Sequence, residues 1–130
     1  MNVILSIKPK YVEKIITGEK QYEFRRTIFK RKHIRKAYIY SSSPTKKIIG
    51  SFMIGDIIED HPERLWNQLS TVSGISETEF FDYFVDKEKG FAIKIEQLQL
   101  LDDPLEPHML IPDFTPPQSF SYINQTNEIK

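Results

Sequence analysis

The sequence has 130 residues, of which 39% are hydrophobic and 28% charged, with basic and acidic side chains in equal number. That length suits one domain with a real core and is too short for two. Cysteine is absent, which excludes disulfides, thiolate zinc sites and a cysteine nucleophile; His33, His61 and His108 show no metal-ligand spacing, so neither a metal nor another cofactor is expected. No charged leader precedes a long apolar run and no membrane span is legible, so a cytoplasmic location is expected. The zero net charge conceals a polarity along the chain. Residues 1–50 carry 13 Lys or Arg against 3 Glu, and residues 51–130 carry 5 against 15 Asp or Glu. Two readings stand: a basic face that attracts a polyanion, or mutual neutralisation when the strands of the two halves interleave.

In chain order, Val3, Leu5 and Ile7 predict a short buried strand over residues 2–7. Pro9 then opens a helix whose apolar stripe is Tyr11, Val12, Ile15 and Ile16, and Gly18 is placed to end it in the left-handed conformation. Residues 20–26 alternate as a strand. Residues 26–36 form a basic run with Lys30, Arg31, Lys32, Arg35 and Lys36, either a polyanion contact or a solvated loop. Residues 37–42 predict a strand with Tyr38 and Tyr40 on one face, followed by a hydroxyl-rich turn at Ser41, Ser42, Ser43 and Pro44.

Residues 48–58 predict a long, curved strand interrupted by Gly50 and Gly55. Asp60-His61-Pro62-Glu63 reads as a capping box before a short helix with Leu65, Trp66 and Leu69 inside. The stronger reading of Trp66, the only tryptophan, is core packing rather than pocket lining. Ser76-Glu77-Thr78-Glu79 repeats the capping pattern ahead of Phe80, Phe81 and Phe84; Glu77 and Glu79 become candidate acids only if that helix overlooks the central motif. Phe91, Ile93 and Ile95 give a strand whose parity slips near Gln97, as at a bulge or break. After Leu101 an irregular, proline-rich segment is expected, with Phe120, Tyr122 and Ile123 docking as a last strand and residues 124–130 forming a flexible tail.

The stretch that organises the rest is Gly18-Glu19-Lys20-Gln21-Tyr22-Glu23-Phe24-Arg25-Arg26. Strand alternation sends Tyr22 and Phe24 to a core and stands Glu23 and Arg25 together on the other face, with Lys20 at the mouth. One carboxylate between two cations can grip a phosphate, polarise a carbonyl or move a proton; as a bare motif it is as readily a solvated ion-pair network. Gly-x-Lys-x-x-Glu-x-Arg after a short amphipathic helix resembles the signature of the ASCH domain family, within the PUA-like superfamily. Ile4-Leu5-Ser6-Ile7-Lys8-Pro9, Tyr38-Ile39-Tyr40-Ser41-Ser42-Ser43-Pro44 and Ile48-Ile49-Gly50-Ser51-Phe52 support the likeness, as does Pro116-Pro117-Gln118-Ser119-Phe120-Ser121-Tyr122-Ile123. The chain is most similar to small prokaryotic single-domain members, described as transcriptional regulators.

The element count favours an α+β fold, and the resemblance implies a small mixed PUA-like β-barrel of five or six strands with about three short helices, forming a single domain over residues 1–123. It also implies RNA binding, as a regulator coupled to transcription or translation or as a reader of a modified nucleotide. The expected contacts are then Lys8, Lys20, Glu23, Arg25, Arg26, Tyr40, Ser41, Ser42 and Ser43. The rival expectation is an enzyme, because some family members resemble hydrolases of RNA or of N4-acetylcytidine. Lys20 matches the lysine of the latter, but Glu23 stands where their threonine nucleophile would be, so direct carry-over fails. A variant reaction would use Lys20 to polarise and Glu23 as general base, with Arg25 and Tyr40 as further ribonuclease candidates.

Overall fold

The structure, a computed structural model, describes residues 2–31, 33–117 and 120–123. Lys32, Gln118, Ser119 and the expected tail at 124–130 lie outside the described residues. Among the described residues one sheet carries six strands in the order β2-β5-β4-β3-β1-β6. The strands are β1 (Asn2–Ile7), β2 (Tyr22–Arg25), β3 (Lys36–Ser41), β4 (Lys47–Asp60), β5 (Gly90–Leu105) and β6 (Phe120–Ile123). The α-helices are α1 (Pro9–Thr17), α2 (Pro62–Leu69) and α3 (Glu77–Tyr83), which makes the fold α+β, a curled half-barrel sheet.

β1 is paired along both edges, parallel to β3 and antiparallel to β6, and is buried on both faces because a core packs against each. Strand parity sorts its side chains: Val3, Leu5 and Ile7 join one core with Ile39, Phe52 and Ile93. Ile4 joins a second with Tyr38, Tyr40 and Ile48. A third core, built from Phe24, Leu65, Phe80, Phe84 and Ala92, fixes α2 and α3 against β2 and β5. Trp66 belongs to it, with its ring 5.0 Å from that of Phe80.

Pro9 opens α1 and Gly18 closes it at φ 86°, donating its N–H to the Ile15 carbonyl; the left-handed turn costs glycine little and aims the chain into β2. Ile16, expected in the apolar stripe, is exposed. The first capping box is shifted by one residue: His61 caps α2, accepting the Glu63 N–H, while Asp60 pairs with Arg64. The second forms as expected, with Ser76 Oγ accepting the Glu79 N–H at 3.1 Å. Gln97 sits at φ 48° where the β4–β5 register slips, so the parity change is a bulge and not a break. β5 runs on to Leu105, opposite Ile48, which corrects the expectation of irregular chain from Leu101; pairing with the long β4 carries it past the change in composition.

Candidate functional site

A cleft of about 800 Å³ opens between the start of α1, the end of β2 and α3. Its floor is the signature motif. Glu23 and Arg25 share the face of Ile93, directly opposite Glu23 in β5, while Tyr22 and Phe24 turn the other way into the third core. The alternation read from sequence therefore holds, but the solvated ion-pair network does not form: Lys20, Glu23 and Arg25 are only 3%, 6% and 6% exposed. Lys20 Nζ lies 3.6 Å from Glu23 Oε1, and Arg25 Nη1 donates to Glu23 Oε2 at 3.0 Å.

Backbone groups complete the floor. Lys20 Nζ donates to the Ser73 carbonyl at 3.2 Å, and Arg25 Nη1 donates to that of Ser6 at 3.4 Å. The ammonium of Lys20 also lies over the Phe24 ring, 4.7 Å from its centre. The approach of the Ser73 loop depends on Gly74, which sits at φ 63°; a Cβ there would fall 2.4 Å from Lys20 Cβ. Burial pushes the pKa of Lys20 down, and the charge of Glu23 opposes that shift. With both bases protonated, the group sets two cations against one carboxylate at the foot of the cleft, which suits it to an anion.

The walls come from α1 and α3: Tyr11, expected in the apolar stripe of α1, and Glu79, expected as a helix cap, meet over the floor. Tyr11 donates to Glu79 Oε2 at 2.6 Å, and Lys10 pairs with the same oxygen. Hydrogen bonds from Lys10 and Tyr11 hold the Glu79 carboxyl at about 2, while burial and Glu79 push the Tyr11 phenol upwards. Glu79 thus overlooks the motif, and its capping pattern was the only signal for it. Asp82, Tyr83 and Lys87 also line the cleft, and nothing in the sequence pointed to them. A smaller cavity of about 440 Å³ lies on the far side of the Tyr11–Glu79 bond.

Of the expected contacts, Lys8, Arg26 and Ser42 line the cleft with the floor residues. Three do not. Tyr40 belongs to the second core, against Phe114, because its parity turns it to the opposite face of β3. Ser41 is buried at the end of β3, opposite Ile7, and Ser43 is exposed in the turn outside the cleft lining. No group of three or more His, Asp or Glu gathers as a metal-ion cluster among the described residues. No helix among them is long and apolar enough to cross a membrane.

The sequence pattern of the ASCH domain matches residues 5–99, which include the whole motif. The chain belongs to the ASCH domain family. It is 28% identical over 128 residues to an ASCH domain-containing ribonuclease of Zymomonas mobilis, covering 94% of this chain and 84% of that one. A crystal structure of ASCH from Zymomonas mobilis superposes with a TM-score of 0.88 at 26% identity, covering 97% of this chain and 90% of the other. A tyrosine-to-phenylalanine and a serine-to-alanine form of that protein match equally well. A further 29% identity extends over 92 residues to large ribosomal subunit protein uL22 of Ureaplasma parvum, of which it spans 29%.

Proposed function

We propose that this ASCH domain binds RNA, taking one nucleotide of an unpaired strand into the cleft, with phosphate over Lys20 and Arg25. The observation that carries this reading is the buried Lys20–Glu23–Arg25 group, two cations on one carboxylate, beneath a cleft of nucleotide size. Glu23 orients both cations and so fixes the direction of their N–H bonds, which is where a buried carboxylate does most for anion binding. Lys8 and Arg26 at the mouth add charge that steers a polyanion inward. The acidic Glu79 and Asp82 on the facing wall accept hydrogen bonds, as a base with an exocyclic amine requires. A modified base is the finer form of the same reading, and the relative named as a ribonuclease supports RNA as the context. Neither the cleft nor the relatives support a regulator coupled to transcription or translation.

Hydrolysis of RNA is the second reading, favoured by the relative named as a ribonuclease. In the cleft it would run as an internal transfer. Glu23 takes the proton of a ribose 2′-hydroxyl, the 2′-oxygen bonds to phosphorus, and the bond to the 5′-oxygen breaks as that oxygen takes a proton from Lys20. The products are a 2′,3′-cyclic phosphate and a 5′-hydroxyl. Burial of Lys20 lowers its pKa and makes that proton easier to give up.

One experiment tests both readings. RNA oligonucleotides are titrated by fluorescence anisotropy and the same samples run on denaturing gels, beside Lys20→Met and Arg25→Met, each of which leaves one cation paired with Glu23. Binding about tenfold weaker or worse in each variant is expected, since each loses a charge-assisted hydrogen bond to the ligand. Unchanged affinity in both overturns the cleft as the binding site. Cleavage lost in Glu23→Asp while binding persists assigns Glu23 to chemistry.

A further inference from the structure

The basic run after the motif has a fixed path. Arg26 donates its backbone N–H to the Tyr83 hydroxyl at 3.2 Å, and its guanidinium lies over the Tyr83 ring, 4.7 Å from the centre. Five residues on, the device is repeated. Lys30 and Arg31 both donate backbone N–H groups to the Tyr122 hydroxyl, at 2.8 and 3.2 Å, and the Arg31 guanidinium lies 4.3 Å from the centre of the Tyr122 ring. Between them Phe29 is buried in the first core, its ring 5.9 Å from that of Phe120. The segment is thus a strap across the sheet, pinned at three points, with Arg26, Lys30 and Arg31 exposed.

Its direction follows from the register. Tyr122 pairs with Val3, whereas the Arg25 contact on the cleft floor is to Ser6, about 10 Å farther along the same strand at the usual rise per residue. The strap therefore leads from the cleft mouth, which Arg26 lines, along the sheet to Tyr122. Stacking engages the face of a guanidinium, while phosphate is recognised by its edge, so an arginine laid on a tyrosine can serve both and arrives with its rotamers already restricted.

We propose that Arg26, Lys30 and Arg31 form a preset phosphate rail that carries a single RNA strand away from the cleft, so that this protein binds an oligonucleotide more tightly than a free nucleotide. The rail rests on the cleft reading for its starting point but makes its own contacts, and the two are separable. A ladder of one RNA sequence from one to eight nucleotides is titrated at 50 to 200 mM salt with the parent chain, Arg31→Ala, Arg31→Lys and the cleft variant Lys20→Met.

In the parent, affinity rises with length beyond one nucleotide. Arg31→Ala flattens that rise, leaves the mononucleotide unaffected and lowers the salt slope by about 0.7, which makes the affinity loss across this salt range roughly 2.6-fold smaller. Arg31→Lys keeps the slope and loses affinity, because the charge remains and the stack does not. If the mononucleotide binds and responds to Lys20→Met but Arg31→Ala leaves length dependence and slope intact, the rail is wrong and the cleft stands. If Lys20→Met changes nothing while Arg31→Ala reduces the slope, the cleft is wrong and the rail stands. No response to either variant overturns both, provided thermal melts show that each variant is folded.

Discussion

The floor of the cleft and the turn at residues 41–44 meet at one end of the sheet, where Ser42 donates its backbone N–H to the Ile7 carbonyl. They solve the same problem in opposite ways. The floor keeps three charged side chains almost out of water and satisfies them with one another and with the carbonyls of Ser6 and Ser73. The turn keeps neutral hydroxyls, of which Ser42 reaches the cleft, Ser43 faces solvent and Ser41 is buried. A buried charge is costly to strand, so the floor ties the proposed binding role to stability; a turn hydroxyl is cheap to lose.

The sharpest test of that contrast is Glu23→Gln, which removes the carboxylate that the two buried cations share. A loss of about 3–5 kcal/mol is expected, a fall in Tm of roughly 10–20 °C by calorimetry. Next is Gly74→Ala. It combines a left-handed backbone with a Cβ 2.4 Å from that of Lys20, so a loss of about 1–3 kcal/mol should accompany weaker RNA binding as Lys20 is displaced. Lys20→Met should split the two properties. It leaves a neutral Glu23–Arg25 pair, so stability stays within about 1 kcal/mol of the parent or rises while RNA affinity collapses.

Glu79→Gln tests the wall. The folded pKa of Glu79, about 2, lies below its ordinary value of 4.5, so its contribution is present above pH 4.5 and is lost as pH falls towards 2. Melting curves of the variant should be flatter than those of the parent across that window. The smallest effect is expected for Ser43→Ala, within about 0.5 kcal/mol in stability and without change in RNA affinity. A companion Tyr40→Phe variant breaks the comparison if it abolishes cleavage with binding intact, because the hydrolytic centre would then lie on the other face of β3, where burial and the nearby Glu106 already raise the Tyr40 pKa.

Local rules account for much of what was legible in the chain. Proline and glycine set the ends of α1, and the period of two in β2 separated Phe24 from Glu23 and Arg25. The capping pattern at Ser76 placed α3 and its Glu79. Those rules act over three or four residues and so survive without knowledge of the fold. The same parity that put Glu23 and Arg25 together also put Tyr40 on the opposite face from Ser41, but reading it for function required knowing which face of β3 looks towards the cleft.

By itself, then, the sequence determined the strand that carries the motif, the helix that aims it, the fold class and the family likeness. Only the tertiary structure decided that the motif is buried, because its environment is supplied by Ser6, Ser73 and Gly74 from distant parts of the chain. The halves of opposite charge likewise neither segregate nor cancel completely. Lys10 and Lys47 of the basic half pair with Glu79 and Glu106 of the acidic half, whereas the Arg26 guanidinium lies on the Tyr83 ring. Charge order along a chain does not fix charge in space; the strand order, which sets β2 beside β5, does.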